Sequence, residues 1–124
     1  MELKGIISAL ESNGFTRKIF PNEAPQGEAL PYVVAFIVDS DPQGSADSAV
    51  EFQDVRIQLS VFASTYEQAV TIDGELFDIL NDYTTAISGL DYDRIRYAGK
   101  RDLPFEPDLK AYHRESDYQM IVNS

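Results

Sequence analysis

The residues best able to do chemistry are few, and they stand apart. His113 is the only imidazole in the chain, and there is no cysteine. Histidine is the commonest general acid or base near neutrality. His113, however, lies between Tyr112 and Arg114 in a stretch that alternates like a strand, with no second imidazole or thiol to work with. It reads as a solvent-facing strand residue. Two carboxylate pairs, Asp39 with Asp41 and Asp91 with Asp93, offer oxygen ligands to a hard cation. Neither has the full alternation of acidic ligands, the turn glycine and the closing glutamate that together make a calcium loop. Two carboxylates also meet the residue requirement of a glycoside hydrolase, but a sugar cleft needs more wall than this chain can build. Gly27 and Gly44 stand alone, without the lysine and hydroxyl that would hold a phosphate. No Gly-x-Ser-x-Gly elbow occurs. No catalytic constellation, metal site or cofactor site emerges.

The composition agrees with a binding role. The chain has 124 residues, room for one domain spanning 1–124. With 44% hydrophobic residues, seven Phe and seven Tyr, it can bury a core without disulfide or metal staples. No apolar run reaches the roughly 18 residues of a membrane span. The start, Met1–Asn13, lacks the basic opening of a signal peptide. A net charge of −11 repels a nucleic-acid backbone, whose binding needs clustered Lys and Arg. Arg17–Lys18 and Lys100–Arg101 are the only basic doublets.

Any functional residue must be positioned by the elements that periodicity marks. Leu3, Ile6, Ile7 and Leu10 recur at helical spacing, predicting a helix from Glu2 to Ser12 closed by Asn13-Gly14. Phe15 to Phe20 suits a short extended piece, and Pro21, Pro25, Gly27 and Pro31 mark a loop. Tyr32 to Val38 is a continuous apolar run of strand length, and Asp39 to Ala49 reads as a long loop. Val50 to Phe62 alternates with period two, placing Val55, Ile57, Leu59 and Val61 on one face. Ser64 to Glu67 matches a capping box. The helix it opens runs to Asn81, with Tyr66, Ala69, Val70, Leu76, Phe77 and Leu80 as its apolar face. Arg94 to Gly99 reads as a third strand, broken by Pro104 and Pro107. Ala111 to Val122 reads as a fourth, with Tyr112, Tyr118, Met120 and Val122 on one face. The order α-β-β-α-β-β predicts an α+β domain: a mixed, mostly antiparallel sheet packed with two main helices.

The strand and helix at the centre carry a resemblance. Leu30-Pro-Tyr-Val-Val34, Asp54-Val-Arg-Ile-Gln-Leu-Ser-Val-Phe-Ala-Ser64 and Tyr66-Glu-Gln-Ala69 resemble the tail-completion, or tail-terminator, family of long-tailed phages. In that family a Pro-Tyr-Val strand precedes a variable loop, and a strand of Arg-Val-Gln-Ile-Asp-Val-Trp/Tyr-Ala type runs into a helix. Arg56, Gln58, Phe62, Ala63, Tyr66 and Ala69 fall at the matching positions. Phe62 stands where Trp or Tyr is usual. The closing strand resembles the family's in pattern only.

The resemblance implies a structural assembly protein with no reaction and no cofactor. It implies a homohexameric ring that caps the tail tube at the neck end of the virion tail, assembled in the host cytoplasm. Its partners would be further copies of itself, the major tail tube protein and a head–tail connector or stopper. DNA would only pass through the lumen, and the chain's −11 charge would keep it from sticking there. Another neck or connector component is the rival reading, followed by a small non-viral adaptor or a carboxylate enzyme. Interfaces are expected in Ser40 to Ala49, through Ser40, Asp41, Gln43, Ser45 and Asp47, and in Asp102 to Lys110, through Phe105 and Asp108. Tyr83, Tyr92, Phe105 and Tyr112 are the candidate aromatic anchors, while Tyr32 reads as core.

Overall fold

The computed structural model describes residues 3–43, 52–87 and 89–123. Helix α1 (Lys4–Ser12) buries Ile6, Ala9 and Leu10. It closes where Gly14 takes a φ of 92° and the Asn13 amide side chain donates to the Ala9 carbonyl at 2.7 Å. Five strands and a second helix surround one long strand: β1 (Ile19–Pro21), β2 (Tyr32–Gln43), β3 (Phe52–Ala63), α2 (Tyr66–Leu80), β4 (Asp91–Tyr92), β5 (Arg96–Glu106) and β6 (Ala111–Asn123). They form one mixed sheet in the order β1-β2-β3-β6, with β4 and β5 following one another along the free side of β6. Only the β1–β2 pairing is parallel. The expected α+β class, with its mostly antiparallel sheet and two helices, is the one observed.

One sheet face is closed by the helices. Val55, Ile57, Leu59 and Val61 of β3 are all buried, as their alternation predicts, and Tyr118 and Met120 of β6 join them. Against them lie Leu10 of α1 and Ile72, Leu76 and Leu80 of α2, each no more than 1% exposed. Each such side chain contributes about 1.5–3 kcal/mol by leaving water.

Several elements depart from expectation. β2 does not stop at Val38. It continues to Gln43, paired with Phe52 to Arg56, after a bulge between Ile37 and Asp39. The sequence 39–43 is polar, and the arm runs as a strand through its pairing with β3. β5 likewise passes through Pro104, because only its inner side is bonded, to β6, and the register slips between Leu103 and Glu106. The N-cap of α2 is Thr65, whose hydroxyl accepts the Gln68 amide at 3.1 Å, one residue later than the Ser64 pattern suggests. On α2 itself, Tyr66, Val70 and Phe77 face solvent while Asp73 is buried.

Both sheet edges are blunted. β1 covers β2 only from Val33 to Ala35, and beyond it β2 carries its bulge and Pro42. β5 carries Gly99 at a register shift, then Lys100 and Pro104. Bulges, lysine and proline are how native sheets refuse a further strand.

Candidate assembly surfaces

The turn from β5 to β6 builds an exposed aromatic cluster. Lys110, at a φ of 53°, folds the chain back so that Phe105 and Tyr112 meet edge to face at 5.0 Å. Tyr66, the first residue of α2, stands 6.4 Å from Tyr112. Phe105 is 45% exposed and Leu109 48%, so the cluster offers apolar area that nothing in the described residues covers. Asp108 sits exposed in the turn between them. The alternation puts Tyr112 on one face with Tyr118, Met120 and Val122. The parity is right, but Tyr112 lies at the strand's end, past the helix that would cover it.

A buried ionic network fixes this cluster to the core. Arg114 Nε donates to Asp73 Oδ2 of α2 at 3.1 Å, with both side chains only 8% exposed. Its Nη1 reaches Asp102 at 3.3 Å and the Tyr66 hydroxyl at 3.4 Å. Tyr66 in turn donates to Asp102 at 2.9 Å, and the Ser116 hydroxyl donates to Asp73. Asp73 and Arg114 lie 41 residues apart, and no local pattern signals the pair.

The other sheet face carries a ladder of rings across four strands. Phe20 meets Tyr32 edge-on at 6.2 Å, Tyr32 stacks on Phe62 at 5.2 Å, and Phe62 stacks on His113 at 4.1 Å. His113 is therefore not the solvent-facing residue its sequence position suggests: its side chain is only 10% exposed. Neither ring nitrogen has a hydrogen bond within the described residues. Burial pulls its pKa below the ordinary value, although Glu115 at 3.8 Å and Glu106 at 3.9 Å draw it the other way. Beside it Arg101 binds Glu115 at 2.9 Å and Gln58 at 3.0 Å, and Arg56 reaches Asp117 at 3.3 Å.

The remaining expected contact residues scatter. Tyr92 donates to the Thr85 carbonyl at 2.6 Å, and Tyr83 accepts from Asn13 at 3.2 Å; both pack against the core. Asp93, one of the carboxylates considered for a cation, takes the Ile121 amide at 3.0 Å and Arg96. Ser40, Asp41 and Gln43 belong to β2 rather than to a loop, and Ser45 and Asp47 lie outside the described residues.

Residues 7–123 match the family described as tail completion protein gp17. The chain belongs to that family. A tail-completion role in a phage-like virion follows, as a structural component of the tail. A similar fold occurs in a chain of the solved structure "Virion of native gene transfer agent (GTA) particle", at a TM-score of 0.65 and 11% identity. That likeness covers 93% of this chain and 84% of the other. No curated protein matches.

Proposed function

We propose that this tail-completion protein closes the end of the tail tube as a ring of identical copies, ends tube elongation and presents the surface that the head connector joins. Membership of the tail-completion family over residues 7–123 carries the reading. The surface supports it: Phe105, Leu109 and Tyr112 expose a compact apolar cluster at one end of the sheet. The Arg114–Asp73 pair holds that end rigidly to α2. A preorganised aromatic anchor loses little freedom on docking. Phe105, Asp108 and Tyr112 form the proposed contact with the tube, and the β2–β3 arm bearing Ser40, Asp41 and Gln43 the second contact. The −11 charge gives such a ring a lumen that repels passing DNA.

The test adds purified protein to isolated tail tubes and scores tube length and head attachment. Wild type should fix tube length and allow joining. A Phe105→Ser, Tyr112→Ser variant, still folded by circular dichroism, should do neither. Tubes that keep growing in the presence of wild type, or protein that binds only the head connector, would assign the chain to another neck position.

A further inference from the structure

Helix α2 carries a glycine that the fold itself does not use. A Cβ built on Gly74 meets nothing within 4 Å, and glycine inside a helix is less stable than alanine there. Around it on the outer side of α2 stand Tyr66, Val70 and Phe77, 45%, 38% and 37% exposed. The spacing 66, 70, 74, 77 is one helical stripe. Along its flank run Glu67 and Asp78, neither with an ion pair among the described residues. The stripe lies at the β5 edge, where Phe77 touches Tyr97. At the opposite, β1 edge a cleft runs beside α1 between Leu3, Ile7, Pro21 and Ile37, rimmed by Lys4, Ser8 and Glu11. Lys4 too has no ion pair among the described residues.

We propose that the α2 stripe of one copy seats in the α1 cleft of the next, the two helices running antiparallel. This deepens the ring reading and rests on it. The registers match: Asp78 opposes Lys4, Gly74 opposes Ser8, and Thr71 opposes Glu11, to which it donates its hydroxyl. Gly74 against Ser8 lets the two backbones approach closely, which explains a glycine with no use inside the monomer. Phe77 enters the apolar floor of the cleft. Because stripe and cleft sit on opposite edges of one sheet, the contact is head-to-tail, the type that closes into rings.

The chain has no native cysteine, so cross-linking reads the contact directly. A full-length Ser8→Cys, Gly74→Cys variant, oxidised at millimolar concentration and on tail tubes, should give a ladder of covalent multimers. Either single variant should stop at dimers. Lys4→Glu should weaken assembly by about ten-fold in sedimentation, and adding Asp78→Lys should restore it. Gly74→Ala should raise the thermal midpoint of the monomer yet weaken assembly. Rings that form without the cross-link and ignore the charge swaps would overturn this contact while leaving the ring reading in place. A wild-type chain that forms no ring alone or on tubes would remove both.

Discussion

Arg114 of β6 and Asp73 of α2 form a charge pair, Nε to Oδ2 at 3.1 Å, inside the seam between helix and sheet. Arg114 also fastens Asp102 and, through it, Tyr66. One buried guanidinium thus ties the core of the domain to its exposed aromatic end.

Removing one member of such a pair leaves a buried charge unpaired, at a cost of about 3–5 kcal/mol. Arg114→Met and Asp73→Ala should each lower the urea midpoint accordingly. Arg114→Met combined with Asp73→Leu should recover much of the loss, because the seam becomes uniformly apolar. A double variant no better than the singles would show that Tyr66, Asp102 and Ser116 depend on the charges themselves.

Gly5 and Gly74 should respond oppositely to alanine. A Cβ at Gly5 would lie 2.8 Å from Ile87 Cγ2, so Gly5→Ala should destabilise by about 1–3 kcal/mol through overpacking. Ile87→Ala should remove that clash in the double variant. Gly74→Ala meets open space and should gain up to about 1 kcal/mol in monomer stability. Denaturant titration of the four variants checks all of this.

His113 should make stability depend on pH just below neutrality. Burial holds its pKa below the unfolded value, so the folded state binds fewer protons than the unfolded one. Its contribution is present in full above the unfolded pKa, roughly 6.5. It is lost as pH falls through the folded pKa. The thermal midpoint should therefore drop on acidification below neutrality, before Glu75, held down by its hydrogen bond to Arg17, and Asp93, which burial raises but Arg96 and backbone amides together bring lower, begin to protonate. In His113→Phe the first drop should vanish. The single imidazole also gives one resonance to follow by NMR, and a midpoint at or above the ordinary value would refute the sign.

Thr65, rather than Ser64, caps α2. Thr65→Ala should cost about 1 kcal/mol, and Ser64→Ala, whose hydroxyl donates to the exposed Gln68 side-chain oxygen at 3.3 Å and to no helix backbone group, clearly less. Equal losses would mean that the two residues share the cap.

Where the sequence was legible, one local period decided the outcome. β3 alternates over its length because a single helix-covered face reads every second residue, and α1 and α2 follow from spacing and breakers. Strand ends were illegible for a physical reason. Residues 39–43 are held by pairing with Phe52 to Arg56, and Glu106 by pairing with Ala111, and composition does not encode a partner's position. The same holds for the surfaces. Phe105 and Tyr112 stand exposed, as candidates for contact must, but Tyr66, Val70 and Phe77 read as a core face in the sequence, since an apolar helical position says nothing about which side is covered. His113 was placed on the correct strand and the wrong environment, because Phe62 reaches it only through cross-strand register.

The bulged and proline-bearing margins of the sheet have a consequence for how such a protein changes over time. With the open margins of the described strands bulged or broken by proline, recognition falls less to the peptide chain, which all proteins share. It falls more to side chains, and these can be exchanged one at a time while the scaffold stays as it is. A lineage built this way can retune which neighbours it accepts without redesigning itself.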